Sequence, residues 1–373
     1  MRELNAGKLR DNVAKVAQYD LDEHLTFGSA YAVYQNGVPM CVQCFGVTSP
    51  NGTEPVCPDT VFRLASMTKP IVTMGALMMI DRGLLTLDTP VTTFLPQFEN
   101  IHIITPEGKD LGPTPTELTV LHLLTHTAGL GGLKPLHLSR EDKTTPEAFM
   151  DYYIREGLDY EPFTNQRYNF AVAFDMINEI VRALTGQDPE AFLQAELFAP
   201  CGMRDTTFEP TESQWARMIA MHNRVDGQCC VGHTVDGCVF ADYPVEHRLG
   251  GAGLASTLQD YVLFAQMLLN EGACAGGRLV SPETARLMST PHVPYELMPQ
   301  NERWGLGVRV VTDERYRRIP VGCYGWSGAY GSHFWVDPEN RITAVFMKNS
   351  LIEGGSNNPS ARRFEEAVYA SLD

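Results

Sequence analysis

Ser66-Met67-Thr68-Lys69 sets a hydroxyl and an amine three residues apart. On a helix that spacing puts both on one face, within reach of each other. A serine hydroxyl is a weak nucleophile at neutral pH until a base takes its proton. Lysine can be that base when burial lowers its pKa, because desolvation penalises the ammonium form. Phe62, Leu64, Ala65, Met67, Ile71 and Val72 supply apolar bulk around the pair. The chemistry on offer is nucleophilic attack by an activated serine. The same four residues also read as a solvated helix start capped by Ser66.

The elements around this pair are legible from periodicity. Residues 6 to 23 form an amphipathic helix pattern through Leu9, Val13, Val16 and Ala17. Ser29 to Gln35 and Val38 to Val47 alternate as strands around Asn36-Gly37, a two-residue hairpin signal. A short strand, Val61 to Leu64, leads into the nucleophile helix, which carries Pro70 in its first turn and closes at Gly83. Leu118 to Thr125, Phe170 to Leu184 and Pro189 to Phe198 read as helices. Thr257 to Asn270 reads as another, entered through Gly250-Gly251-Ala252-Gly253. Three β-like runs follow at Gly305 to Val311, Ser332 to Val336 and Ile342 to Lys348, then a closing helix over 360 to 371. Strands at both chain ends with helices between them predict one sheet built from the two ends. The expected division is an α/β sheet lobe over 1–64 and 248–373, with a mainly helical lobe over 65–247. Pocket shape would depend on loops 99–117, 131–147 and 222–247.

Composition narrows the function classes. A formal net charge of −16 opposes binding to nucleic acid, whose phosphates call for clustered cations. No run approaches the roughly 20 apolar residues that a spanning helix needs, so no membrane partner is expected. The N-terminus shows no apolar signal region, and nine scattered cysteines without a CxxC pair suit a reduced cytoplasmic protein.

Val61-Phe62-Arg63-Leu64-Ala65-Ser66-Met67-Thr68-Lys69 resembles the nucleophile segment of serine β-lactamases, penicillin-binding proteins and related esterases, most of all the class C β-lactamase and family VIII carboxylesterase branch. Leu118 to Leu130, Gly202-Met203-Arg204-Asp205-Thr206 and Gly250 to Thr257 resemble further segments of that family, in order. The resemblance implies an α+β fold, with an antiparallel sheet flanked by helices and an inserted all-helical lobe. It implies a serine hydrolase working on a small ester or amide without cofactor or metal. Tyr168 takes the place of the family's catalytic tyrosine, and Phe170 stands where β-lactamases carry asparagine. Trp326-Ser327-Gly328 takes the place of Lys-Thr-Gly, so the N–H groups of Ala329 and Ser66 would form the oxyanion hole. Trp326 removes a cation that would attract a β-lactam carboxylate, which favours a carboxylesterase. A β-lactamase, a D-amino-acid peptidase or a transacylase is the alternative, and a non-catalytic scaffold is an alternative of another class. Lys348 could restore a charge near the pocket, although a solvated strand-end lysine is the plainer reading.

Several features compete for attention. Gly325-Trp326-Ser327-Gly328-Ala329 approaches a nucleophile elbow, but a strand rather than a helix follows. His122 and His126 have a zinc-compatible spacing without an evident third ligand, which favours structural roles. Gly250 to Gly253 lacks the Lys-Ser/Thr of a phosphate loop, so close backbone packing accounts for it better. Met67, Met74, Met78 and Met79 suit core filling.

Overall fold

The computed structural model describes residues 2–134, 137, 139, 141–143, 145–170, 172–225, 228–232, 247–316 and 318–373. Helix α1 (Ala6–Asp22) is capped by Asn5, whose side chain accepts the Lys8 N–H. Strands β1 (Gly28–Gln35) and β2 (Val38–Gly46) follow. Asn36 and Gly37 turn between them with φ of 53° and 77°, the left-handed pair that a two-residue hairpin requires. Strand β3 (Val61–Arg63) runs into a single 3₁₀ turn, Ala65–Met67, and then helix α2 (Thr68–Asp81). Much later come helix α3 (Val172–Thr185), strand β4 (Ala255–Thr257) and helix α4 (Leu258–Leu269). The chain closes with β5 (Glu302–Trp304), β6 (Arg309–Val311), β7 (Tyr324–Ser327), β8 (His333–Asp337), β9 (Ile342–Met347) and helix α5 (Pro359–Tyr369).

The main sheet has seven strands in the order β5-β6-β7-β8-β9-β1-β2, and every pairing is antiparallel. It is assembled from the two chain ends, joined where Ala30 sits opposite Met347. Alternation sorts its side chains onto two faces. Tyr31, Val33, Trp335 and Phe346 pack with Leu9 and Val13 of α1 and Phe364 and Val368 of α5. Ala30, Ala32, Phe334 and Val345 join the larger core with α2, α3 and α4. Met67, Met74, Met78 and Met79 are all buried in that core. The chain therefore has the β-lactamase-like α+β arrangement that the sequence implies.

The structure differs from the expected elements in places. Gly305 to Val311 is not one strand. Gly305 N–H bonds to the Val308 carbonyl, and Gly307 takes φ of 66°, so the run becomes the turn of a hairpin pairing Trp304 with Arg309. Strand β7 covers residues absent from the three expected runs. A strand at Ala255–Thr257 pairs with β3 just ahead of α4. The central part also contains the hairpins His102–Ile104 with Asp110–Pro113 and Met221–Val225 with Gln228–Gly232. Residues 226, 227 and 233–246 of one expected pocket loop, and 135, 136, 138, 140 and 144 of another, lie outside the described residues. Among the described residues no helix is long and apolar enough to cross a membrane.

Candidate active site

Ser66 lies at the junction of β3 and α2, in a turn that begins with Ala65 at φ of 46°. That left-handed conformation costs a non-glycine residue about 1–2 kcal/mol, so the surroundings must hold it. They do so from three directions. Asn349 accepts the Arg63 N–H and donates to the Arg63 carbonyl, each at 2.9 Å. Tyr261 of α4 donates to the Met67 carbonyl at 2.9 Å. Thr68 Oγ1 accepts the Leu254 N–H at 3.1 Å.

Lys69 is fully buried. Its Nζ lies 2.5 Å from the Phe170 carbonyl, 2.7 Å from the Gly251 carbonyl and 3.3 Å from Ser66 Oγ. Burial drives its pKa well below 10.5, against the pull of the Asp175 carboxylate. Two of the Lys69 hydrogens go to the carbonyls, and the third position on Nζ is directed at Ser66 Oγ.

Tyr168 donates from its hydroxyl to Ser66 Oγ at 2.7 Å. Burial pushes this phenol up to about 12, only partly offset by the hydrogen bond to Ser66, by the Trp326 indole and by the Arg309 guanidinium. It is thus a neutral donor near neutral pH. Three aromatic rings border it: Trp304 stacks at 5.9 Å, Trp326 tilts at 5.3 Å and His126 lies at 4.6 Å. Arg309 of β6 lies 5.3 Å from the Trp304 ring and 5.1 Å from the Trp326 ring, and its guanidinium pairs with Glu302 at 3.3 Å.

Trp326, Ser327, Gly328 and Ala329 come to the same place, with their side chains divided between the two sheet faces. Trp326 faces Tyr168. Ser327 Oγ instead bonds His333 Nδ1 at 2.8 Å, and His333 Nε2 lies 3.2 Å from Glu365 Oε1 on α5. Gly328 packs against the Ser66 turn so tightly that a Cβ there would meet the Leu64 carbonyl at 2.3 Å. Its own N–H goes to the Ser332 carbonyl. Ala329 follows Gly328 in the chain.

Other expectations fall differently. Lys348 is neither a pocket cation nor a solvated strand end. It is fully buried, its Nζ donates to Ser360 Oγ at 3.0 Å, and burial lowers its pKa to about 8. The reason is packing: Gly331 leaves a groove that the lysine stem fills. Phe170 contributes its carbonyl to Lys69 rather than an amide to a substrate. His122 accepts the Thr119 N–H as part of a helix capping box, and His126 accepts the Asn169 N–H through Nδ1 at 3.1 Å. Burial, then Lys69 and Arg309, hold the His126 imidazole well below 6.5, so it is neutral. Trp304, Arg309 and Asp175 were not singled out by the sequence. Their only signal is register and helix phase, which no local motif carries.

The β-lactamase family model, described as Beta-lactamase, matches residues 13–367. The chain belongs to that family. Among curated relatives, the esterase EstB of Burkholderia gladioli is 28% identical over 98% of this chain and 97% of its own. Monacolin J acid methylbutanoyltransferase of Aspergillus terreus is 28% identical over 88% of this chain and 87% of its own. Among solved structures, EstCE1, described as a hydrolase with promiscuous acyltransferase activity, superposes with a TM-score of 0.82 at 24% identity. It covers 98% of this chain and 99% of its own. A family VIII carboxylesterase superposes at 0.78 and 20% identity, over 98% of both chains. These last two likenesses establish the fold.

Proposed function

We propose that this protein is a serine hydrolase that cleaves small esters through a covalent acyl-enzyme on Ser66, without a metal. One observation carries the reading: two backbone carbonyls hold the buried Lys69 Nζ within 3.3 Å of Ser66 Oγ. Lys69 takes the Ser66 proton as the oxygen attacks the acyl carbon. The N–H groups of Ser66 and Ala329 receive the oxyanion. Tyr168 hands its proton to the departing alkoxide and recovers one from the Lys69 ammonium, so the tyrosine proton leaves with the alcohol and the serine proton ends on Tyr168. Water then repeats the sequence in reverse and frees the acid.

An ester rather than a β-lactam is supported by Trp326 in the place of a lysine and by Phe170 in the place of an asparagine. The esterase relative points the same way. A β-lactamase or D-amino-acid peptidase remains the alternative within this fold. Acyl transfer to an alcohol other than water is supported by relatives described as acyltransferases. Adding a small alcohol during ester turnover separates hydrolysis from transfer by the product formed. The six described free cysteines fit a reducing cytoplasmic setting.

The test is labelling with a fluorophosphonate, read by intact mass and peptide mapping, alongside turnover of p-nitrophenyl acetate. A single adduct on Ser66, and loss of both signals in Ser66→Ala, is the expected result. An unlabelled protein without esterase activity would return the chain to the scaffold reading.

A further inference from the structure

We infer that Asp175 and His247 form a buried charge pair that positions and tunes Lys69 from behind, without touching the substrate. The inference rests on Lys69 being the base.

The groups facing Lys69 come from several elements. The Tyr168 ring lies 4.9 Å from Nζ and the Phe174 ring 5.3 Å. His126, neutral, and Arg309, beside the indoles, stand on the side of Tyr168. The Asp175 carboxylate on α3 is the anion that pulls on the amine. Asp175 is fully buried, at 1% exposure, so its charge is weakly screened.

Asp175 acts on Lys69 in two ways. Its Oδ1 accepts the Gly250 N–H. A Cβ on Gly250 would meet the Phe174 carbonyl at 2.4 Å, so the loop lies directly on α3. The next residue, Gly251, supplies one of the two carbonyls that hold Lys69. Asp175 thus fixes the acceptor that orients the amine. Its negative charge also favours the ammonium, opposing the burial that favours the free amine. The balance between them decides the pH at which Lys69 becomes a base.

His247 holds the other side of Asp175, with Nε2 3.0 Å from Oδ2. Burial works against its imidazolium, but Asp175, together with Glu179 and Glu147, outweighs this and raises its pKa. A positive His247 reduces the negative field that Asp175 projects onto Lys69. His247 and Asp175 also line a cleft of about 320 Å³ rimmed by Glu147, Glu179, Arg182 and Arg248. The far side of the pair therefore faces an open cleft whose lining includes none of Ser66, Lys69 and Tyr168.

The two members of the pair should move Lys69 in opposite directions, which a merely structural role would not do. The experiment is the pH profile of kcat/KM for p-nitrophenyl acetate, whose acid limb reports deprotonation of the base in free enzyme. Asp175→Asn keeps the acceptor for Gly250 and removes the charge, so the acid limb moves to lower pH by about one unit. His247→Gln keeps a donor for Asp175 and removes the cation, so the limb moves to higher pH. An unmoved limb in D175N, or shifts of the same sign in both variants, overturns the inference. If D175N does not fold, H247Q decides alone: an upward shift supports the pair, and an unmoved or lowered limb refutes it. Lys69→Ala separates the two levels. Full turnover with the same acid limb in K69A defeats the assignment of the base itself. An inactive K69A beside an unmoved D175N defeats only the role given to Asp175.

Discussion

Asn349 grips the backbone of Arg63 at both its N–H and its carbonyl, three residues before Ser66 and 286 positions away in sequence. It acts as one more strand residue beside β3, closing the gap between the main sheet and the short β3–β4 pair. A buried donor or acceptor left unpaired costs about 1–3 kcal/mol. Asn349→Ala leaves one of each. The expected outcome is a loss of about 2–5 kcal/mol in stability, read by urea unfolding, with an even larger relative fall in kcat. Stability unchanged within error would show that the clamp holds nothing.

Gly328→Ala tests the approach of β7 to the Ser66 turn. Its Cβ would sit 2.3 Å from the Leu64 carbonyl, which is backbone and cannot swing aside. The strand end must retreat and take the Ala329 N–H with it. Loss of one oxyanion donor typically costs about 10²–10³ in kcat. Such a fall, with KM little altered, is expected in steady-state ester hydrolysis. A wild-type kcat would remove Ala329 from the oxyanion hole.

Tyr168→Phe removes the donor to Ser66 Oγ and retains the ring that packs against Trp304 and Trp326. General acid–base groups contribute about 10²–10⁴-fold. A fall of that size in kcat/KM, without loss of thermal stability, is the expected outcome for a proton carrier. A variant that stays active but melts earlier would make Tyr168 a packing residue.

Ser327 gives the opposite expectation. Its hydroxyl turns to His333 and Glu365 on the α5 side of the sheet. Ser327→Ala should keep fluorophosphonate labelling of Ser66 and most of the turnover. A labelling signal that vanishes in S327A would reinstate the elbow-like serine as the nucleophile.

Lys348 makes folding stability depend on pH. Its pKa falls from an ordinary 10.5 to about 8 in the folded protein, through burial, against the pull of Asp20 and Glu353. The unfolded chain therefore binds more protons between these values, and the lysine's contribution rises with pH across that window. It is fully present above 10.5 and is lost as the pH falls through about 8. The difference in unfolding free energy between the natural protein and Lys348→Met should grow in favour of the natural protein from pH 8 to 10.5. A flat difference across this range would contradict the buried setting.

Much of the proposed site is legible in the chain because its chemistry is local. Ser66 and Lys69 share a helix face, and the Asn36-Gly37 turn needs only two residues to be recognised. Tyr168 and the Trp326 segment required the family pattern, since nothing in their own spacing brings them to Ser66. The partners that tune the site were silent. Trp304 reaches Tyr168 through a hairpin whose turn is written in two glycines, and Arg309 arrives as its cross-strand neighbour. Asp175 resembles any polar residue of an amphipathic helix until Gly250 closes over it. Lys348 was misread because strand-end lysines normally reach water, whereas the absent side chain of Gly331 gives this one a channel inward.

The joining of β1 to β9 imposes an order on biogenesis. A ribosome releases Ser66, Lys69 and Tyr168 long before it releases Met347 and Asn349, and domains fold as their parts emerge. Until then β1 lacks its inner neighbour and Ala65 has no clamp to keep it left-handed. The nascent polypeptide thus carries Ser66, Lys69 and Tyr168 unassembled, and only once residues 342–349 have emerged can the proposed site close.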